Sequence, residues 1–143
     1  MIVLLPDGAP DSSDSIADIL KKYKSIAVVG LSSNPARPSH GVASYMKSVG
    51  YRIIPVNPNE REVLDEKSYA RVEDVPGKIE VVDIFRRQED VPPVVDGAIR
   101  AGAKVVWMQL GIENAAAGEK ARAAGITVVM DACLLVEHKK RRL

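Results

Sequence analysis

The stretch VVGLSSNPARPSHG at residues 28–41 carries side chains well suited to holding an anion. Arg37 can place its guanidinium fork on a phosphate or a carboxylate. Pro38 lies near a predicted helix start, where the fixed φ of proline is favourable and free N–H groups would point at the loop. The same composition also suits a plain capped turn between a strand and a helix, and Arg37 tips the interpretation toward an anion site. The polar donors of the stretch are Ser32, Ser33, Asn34 and Ser39.

Two familiar nucleotide-binding motifs are absent from this stretch. Only Gly30 matches the GxGxxG dinucleotide fingerprint, and the GK[ST] ending of a P-loop is missing. A second loop, VNPN at residues 56–59, follows the next predicted strand, where an NAD site normally has Asp or Glu for the ribose hydroxyls. This sequence has Asn57 and Pro58 there and its nearest acid at Glu60, which argues against NAD. Pro58 either presents a flat apolar surface to a purine ring or simply makes a turn.

Arginines and a glycine follow two later predicted strands. Phe85-Arg86-Arg87 closes one strand. Its two guanidiniums either neutralise phosphates beside Arg37 or lie in solvent, as most surface arginines do. The loop after the next strand contains Gln109 and Gly111. The glycine either permits close approach of a ligand to the backbone or merely serves the turn.

Cys133 and His138 suggest a cysteine nucleophile with a histidine base. If residues 132–138 form a helix, His138 lies about 140° round the helix from Cys133, so the spacing gives little support. A lone cysteine in an apolar run such as ACLLV is most often a small core side chain. The basic segment KKRR at 139–142 fits a solvated helix end. The interleaved aromatic side chains of a single-strand nucleic-acid platform are missing.

Composition limits the protein class further. The chain has 143 residues, of which 46% are hydrophobic and 27% charged, and its formal net charge is +1. This balance is typical of a soluble globular domain and excludes a strongly basic nucleic-acid binder. A single cysteine excludes an internal disulfide framework and a cysteine-built zinc site, so no metal site is expected. Apolar runs reach only about five residues against roughly 20 for a spanning helix, and we expect a cytoplasmic protein without a membrane segment.

Short β-branched runs alternate with helical apolar stripes along the chain. This alternation is typical of βαβ units, which form a parallel sheet with right-handed crossovers. The sequence predicts an α/β fold: a single doubly wound, Rossmann-like domain over residues 1–143, with a five-stranded, mainly parallel sheet and a surface lead-in at 1–14. Ligands of such domains bind beyond the carboxyl ends of the strands. The predicted strands are Ile26–Gly30, Arg52–Val56, Ile79–Phe85, Val105–Gln109 and Thr127–Asp131.

Apolar residues at helical spacing predict the helices. Capping oxygens at residues 12–14 precede the first helix, and Gly50, Gly102 and Gly125 follow three later ones, as C′ glycines commonly do. The connection 60–76 is the least regular, and a short helix or an extra turn is expected there. The stripes are Ile16, Ile19, Leu20 and Tyr23; Val42, Tyr45, Met46 and Val49; Val91, Val94, Val95 and Ala98; and Ala117, Ala121 and Ala124.

Three motifs at fixed spacings carry a family resemblance. They are NPxRPS at residues 34–39, GYRxxPVNP at 50–58 and WxQxGI at 107–112, and VDIFRR and VVMDACLLVEH accompany them. The sequence resembles the small stand-alone CoA-binding domain proteins, and it is similar to the N-terminal CoA-binding domain of the succinyl-CoA synthetase alpha subunit. One departure is Ala132, where the family's Asp-Arg-Cys motif commonly has arginine, so the role of that arginine is not carried over.

The resemblance implies that CoA or an acyl-CoA lies across the carboxyl ends of the strands. By position, it implies phosphate at the loop 30–39 with Arg37 as the main cation, and adenosine beside residues 56–58. It implies adenine or phosphate beside 85–86, and the pantetheine arm toward 109–111. The residues implied in binding are Gly30, Leu31, Ser32, Ser33, Asn34, Arg37, Pro38, Ser39, Val56, Asn57, Pro58, Phe85, Arg86, Gln109 and Gly111.

The resemblance favours a binding module without chemistry of its own, and no catalytic residue is assigned. The synthetase's second alpha-subunit domain, with its phosphorylated histidine, has no counterpart in these residues. Two alternatives stay open: an NAD(P)-linked or Cys133-dependent acyl-transfer enzyme, and a regulatory interaction protein with a vestigial nucleotide site. No nucleic-acid partner is expected, and a homo-oligomer or a protein partner stays open.

Overall fold

The computed structural model describes residues 1–8 and 14–143, and its elements alternate between strands and helices. Short 3₁₀ turns at Val72–Asp74 and Gln88–Asp90 lie between them. The strands are β1 (Ile2–Leu4), β2 (Ser25–Val29), β3 (Arg52–Val56), β4 (Glu62–Val63), β5 (Glu66–Lys67), β6 (Val81–Ile84), β7 (Val105–Met108) and β8 (Thr127–Met130). The helices are α1 (Ser15–Lys22), α2 (Pro38–Ser48), α3 (Val91–Arg100), α4 (Ala115–Ala123) and α5 (Leu134–Arg141).

The main sheet has six strands in the order β1-β8-β7-β6-β2-β3. All neighbours pair in parallel except β1, which runs antiparallel to β8. Numbered along the chain, the five parallel strands have the order 2-1-3-4-5, one of the two common doubly wound orders. The predicted α/β, Rossmann-like fold with a mainly parallel sheet is therefore confirmed. Each predicted parallel strand lies within about two residues of its observed position.

The prediction of five strands was wrong, because the sheet has a sixth. Ile2–Leu4 forms β1 at the sheet edge, where Ile2 is opposite Met130 and Leu4 is opposite Val128. Three apolar residues carry no readable period, so the sequence alone predicts them as part of the surface lead-in. Pairing with β8 gives these residues the backbone partners that their own sequence does not reveal. Of the rest of that lead-in, residues 9–13 lie outside the described part of the chain.

Local sequence signals explain where several elements begin. Asp14 caps α1 by accepting a hydrogen bond from the Ala17 N–H at 3.2 Å, while the other two predicted caps lie outside the described residues. Pro38 is the first residue of α2, as predicted. The connection 60–76 contains the β4–β5 hairpin and the 3₁₀ turn at 72–74, so the expected extra turn is confirmed. Tyr69 forms a single bridge with Val56, which places this connection beside the edge of β3.

Helices cover both faces of the sheet. One apolar cluster lies under α3 and α4 and includes Val82, Val106 and Val128, and the other lies under α1, α2 and α5 and includes Val28, Trp107 and Val129. These residues alternate along the strands, so each face of the sheet supplies one cluster. In the part of the chain that the structure describes, no helix is long and apolar enough to cross a membrane.

One strand residue is at odds with this apolar interior. Asp83 lies in the middle of β6, opposite Val28 of β2 and Trp107 of β7, and its side chain is completely buried. Neither carboxyl oxygen has a hydrogen-bond partner in the described structure. Burial raises the pKa of this carboxyl well above its usual value, because the charged form is poorly solvated there. Folding therefore favours the protonated form of Asp83.

Stability should therefore fall as pH rises through the range in which Asp83 ionises. A folded-state pKa above the unfolded value of 3.8 means that the folded state holds its proton longer. The free energy of unfolding then falls by about 1.4 kcal/mol per pH unit, from the unfolded pKa up to the folded pKa. Asp83→Asn and Asp83→Val should both lose this slope. Asp83→Val should also gain about 1–3 kcal/mol, because no polar group is left buried without a partner. Urea unfolding of the three proteins between pH 4 and pH 8 measures both effects, and parallel pH profiles would contradict the assignment.

Candidate CoA-binding site

The order of the sheet produces a crevice at its carboxyl edge. β2 lies between β3 and β6, so the chain leaves β2 in one direction toward β3 and later returns on the other side. This is the topological switch point, where ligands of doubly wound domains bind. The loop 30–37 after β2 and the residues 85–87 after β6 flank it.

Gly30 joins the three strands at this point. Its N–H donates to the Val56 carbonyl of β3 at 2.8 Å, and the Phe85 N–H donates to the Val29 carbonyl at 2.9 Å. Gly30 has φ of +88°, and a Cβ here would collide with the carbonyl of Phe85. Only glycine satisfies both the positive φ and the close approach, so this residue sets the position of the loop that follows.

The polar residues of the loop 31–37 hold one another. The Ser32 N–H donates to the Ser39 hydroxyl at 3.1 Å, the Asn34 N–H to the Ser32 hydroxyl at 3.0 Å and the Ala36 N–H to the Asn34 side-chain oxygen at 2.9 Å. Leu31 is buried beneath them. These backbone donors are engaged within the loop, but Ser32 and Ser39 act here as acceptors and keep their own O–H groups to donate. The loop therefore offers hydroxyls to a ligand more readily than backbone N–H groups.

Two side chains from the turn after β3 fasten this loop. The Asn57 side-chain amide donates to the Leu31 carbonyl at 3.0 Å, and the Glu60 carboxylate accepts the Ser33 N–H at 2.7 Å. The hydrogen bond from Ser33 lowers the pKa of Glu60. Glu60 is the acid nearest to the position at which an NAD site would bind ribose. Its carboxylate is instead bonded to the loop after β2.

A cavity of about 540 Å³ opens between the loop and the end of β6, and we call it the polar cavity. Arg37 and Arg86 face it, and neither makes an ion pair with a described residue. Arg87 also lines it but pairs with Asp90 at 3.2 Å and Glu89 at 3.5 Å. Two guanidiniums therefore retain uncompensated charge at the cavity. Its lining comprises Gly30, Ser32, Arg37, Pro38, Ser39, Asn57, Phe85, Arg86, Arg87 and Ile112.

A second cavity of about 360 Å³ adjoins the first and shares Arg86 with it; we call it the apolar cavity. Most of its wall is aliphatic or proline. The two other arginines on its wall are each paired, Arg71 with Asp74 at 3.2 Å and Arg100 with Glu73 at 2.6 Å. The lining comprises Val29, Val56, Pro58, Ala70, Arg71, Val72, Glu73, Arg86, Pro93, Val94 and Arg100.

The structure brings ten of the fifteen predicted binding residues to these two cavities. Eight line the polar cavity, and Val56 and Pro58 line the apolar one. Leu31 lies in the core, Ser33 and Asn34 are exposed on the loop, and Gln109 and Gly111 lie outside both linings. The eight in the polar cavity are Gly30, Ser32, Arg37, Pro38, Ser39, Asn57, Phe85 and Arg86.

The loop after β7 is tied to the start of α5. The Gln109 side-chain oxygen accepts the Leu134 N–H at 3.1 Å, and the Gly111 N–H donates to the Asp131 carboxylate at 2.7 Å. Ile112 is the member of this loop that reaches the polar cavity. Sequence reasoning placed Ile112 in the WxQxGI motif but assigned it no role.

Most of the apolar cavity's wall was also missed. Residues 70–73 come from the irregular connection, and Pro93, Val94 and Arg100 come from α3. The sequence pattern predicted the valines of α3 only as the apolar face of a helix. No sequence motif indicated that residues 70–73 lie at the carboxyl edge of the sheet. The wall depends on a tertiary contact between distant segments, which periodicity alone does not report.

Cys133 and His138 lie away from both cavities. Cys133 is half-buried at the start of α5, and it packs against the cluster beneath α1, α2 and α5. The Nδ1 atom of His138 is 2.7 Å from the Tyr45 hydroxyl. Among the described residues, no group of three or more His, Cys, Asp or Glu could hold a metal ion.

The buried Ala132 accepts a hydrogen bond from the Trp107 indole at 2.8 Å through its carbonyl.

Comparison with known proteins assigns this arrangement to a family. The sequence pattern described as a CoA binding domain matches residues 24–139, which include both cavities and all five parallel strands. The chain belongs to this CoA-binding domain family. The resemblance drawn from the sequence motifs is thereby confirmed.

Relatives of this CoA-binding domain are both small and large. It is 42% identical over 127 residues to the uncharacterized protein YneT of Bacillus subtilis, covering 89% of this chain and 94% of that one. It matches a hypothetical protein from Pyrococcus horikoshii with 43% identity and a TM-score of 0.87, covering 94% and 93% of the two chains. It is 31% identical over 83 residues to the ADP-forming acetate–CoA ligase II of Archaeoglobus fulgidus, spanning 57% of this chain but 12% of the ligase.

Replacing Gly30 by alanine should disrupt the CoA-binding domain at the switch point. The positive φ alone costs an L-residue about 1–2 kcal/mol, and the clash with Phe85 adds to this. Gly41→Ala is the matched control, because Gly41 lies in α2 with open space around its Cβ position. That control should gain about 0.5–1 kcal/mol. Urea midpoints measure both changes, and equal effects of the two substitutions would contradict the role given to Gly30.

Proposed function

We propose that this chain binds CoA or an acyl-CoA across the carboxyl ends of β2, β3 and β6, without catalysing a reaction of its own. The observation that carries the proposal is that Arg37 and Arg86 face one cavity of the switch point and pair with no acid in the described ranges 1–8 and 14–143. The family and the partial match to an acetate–CoA ligase support CoA as the ligand class.

The polar cavity suits the diphosphate of CoA. Arg37 enters from the loop after β2, and Arg86 enters from the end of β6. Guanidinium groups bind phosphate oxygens through charge-assisted hydrogen bonds. Ser32 and Ser39 add hydroxyl donors on the same wall, and α2 begins there with Pro38. The positive end of the α2 dipole adds to the attraction for an anion.

The apolar cavity suits the adenine ring. Pro58 and Val56 lie on its wall at the end of β3, and Pro93 and Val94 of α3 lie on the same wall. A purine placed between them would leave water for an aliphatic surface. Arg86 lines both cavities, so an adenosine diphosphate that occupied both would pass beside it.

The pantetheine arm would leave past the loop 109–112. Ile112 and Phe85 supply apolar surface at the polar cavity, and Leu110 is 68% exposed at the tip of the loop. An exposed leucine beside a ligand cavity offers contact to the alkyl segments of pantetheine or of an acyl chain. Gln109 and Gly111 then shape this loop through their bonds to Leu134 and Asp131 instead of touching the ligand.

Ligand preference can be measured as thermal stabilisation. A ligand at 100 times its Kd, bound only to the folded state, adds about 2.7 kcal/mol, which corresponds to several degrees in Tm for a domain of this size. CoA, acetyl-CoA and succinyl-CoA should raise the Tm by more than NAD or NADP does at the same concentration. Stabilisation by NAD with none by CoA would favour the oxidoreductase alternative. No shift with any CoA species at millimolar concentration would favour a regulatory protein with a vestigial site.

Arginine substitutions test the site itself. Arg37→Ala and Arg86→Ala should each weaken CoA binding about tenfold or more, because each removes a charge-assisted contact with phosphate. Arg52→Ala is the matched control, since Arg52 is an exposed arginine at the opposite end of β3. Isothermal titration calorimetry in low and raised salt reports both affinity and screening. Unchanged affinity in Arg37→Ala and Arg86→Ala would remove these residues from the site.

A further inference from the structure

The arginines around the two cavities form two groups: those that pair with a carboxylate and those that pair with none among the described residues. Five guanidiniums line the cavities, and three of them have a carboxylate partner. Arg87 pairs with Glu89 and Asp90, and the two arginines peculiar to the apolar cavity pair with acids of the 72–74 turn. In the part of the chain that the structure describes, only Arg37 and Arg86 face a cavity without an acid. The site therefore presents two uncompensated positive charges.

Glu73 is a fixed part of the apolar cavity. It pairs with Arg100 at 2.6 Å, and it lies so close to α3 that a Cβ on Gly97 would be 2.6 Å from its carboxylate. Gly97 thus allows the acid to lie against the helix. The hydrogen bond from Arg100 lowers the pKa of Glu73, so the carboxylate is charged at neutral pH. The Glu73 carboxylate therefore compensates the charge of Arg100 on the wall of the cavity that we assign to adenine.

CoA carries more negative charge than two guanidiniums can compensate. Its diphosphate has two charges, and a phosphate monoester such as the 3′-phosphate adds about 1.5–2 more at pH 7. Arg37 and Arg86 match the diphosphate. A 3′-phosphate near the apolar cavity would meet Arg71 and Arg100, whose charges Asp74 and Glu73 already compensate.

We propose that the group recognised by this site is an adenosine 5′-diphosphate moiety, and that Glu73 prevents the 3′-phosphate of CoA from adding to the affinity. This inference rests on the proposed function and narrows it. The ligand class becomes compounds that carry an adenosine 5′-diphosphate end. The ribose 3′-phosphate does not add to their affinity.

Paired ligands separate the two kinds of phosphate. The full chain should bind CoA and dephospho-CoA with Kd values within about threefold of each other in isothermal titration calorimetry. ADP should bind more tightly than adenosine 3′,5′-bisphosphate, which has the same number of phosphoryl groups but no diphosphate. A Kd for CoA ten times lower than that for dephospho-CoA would overturn the proposal, as would tighter binding of the bisphosphate.

Removing the charge of Glu73 tests its role directly. Glu73→Gln leaves Arg100 uncompensated, so CoA should bind about fivefold more tightly while dephospho-CoA changes little. Glu119→Gln is the matched control, because Glu119 pairs with Arg122 of α4 away from both cavities. Thermal unfolding of each variant confirms that it is folded. An unchanged ratio of the two affinities in Glu73→Gln would overturn the role of Glu73.

The two proposals fail in different ways. If wild-type protein binds none of CoA, dephospho-CoA and ADP, the proposed function is wrong. If it binds CoA strongly and dephospho-CoA weakly, the proposed function stands and the inference about the 3′-phosphate is wrong.

Discussion

The junction at Gly30 is the constraint on which the rest of the site depends. At this residue β2 ends between β3 and β6. The Gly30 N–H donates to the Val56 carbonyl on one side, and the Val29 carbonyl accepts from the Phe85 N–H on the other. The approach of the Phe85 carbonyl leaves no room for a Cβ. Because the carbonyl and the positive φ both require glycine, the chain must turn here into the loop that carries Arg37. Arg37 and Arg86, which have no acid partner among the residues that the structure describes, are 49 positions apart in sequence, and this junction holds their segments side by side.

Backbone shape and charge come from different residues at this site. The serines and the asparagine of the loop are engaged in bonds that define its path, and Asn57 and Glu60 fasten it to the turn after β3. The charge comes from side chains that make no such bonds. A P-loop or a dinucleotide fingerprint instead uses its backbone N–H groups on the phosphate. The lack of a recognisable glycine motif is therefore consistent with a site whose loop donors are already used.

The sequence predicted the parallel strands well, because strands covered on both faces leave continuous β-branched runs. It also predicted the loops of the site, since the carboxyl ends of such strands meet at one edge. β1 was missed because three residues carry no period, and its pairing with β8 is a long-range contact. The wall of the apolar cavity was missed for a related reason. Residues 70–73 reach the site through tertiary contacts of an irregular connection, for which no local pattern exists.

Local charge spacing distinguishes the cavity arginines that pair with an acid from those that do not in the described part of the chain, and part of this pattern is visible in the sequence. Arg71 and Arg87 each have an aspartate three residues later, and both pairs form. Arg37 has no acid within four residues on either side, so nothing nearby in the chain compensates it. The sequence does not show that Arg86 lacks a partner, because Glu89 lies three residues after it. The structure gives Glu89 to Arg87 instead, since the 3₁₀ turn at 88–90 brings both acids to that neighbour. Sequence spacing thus identifies one of the two uncompensated charges at the polar cavity, and the second follows only from the course of a three-residue turn.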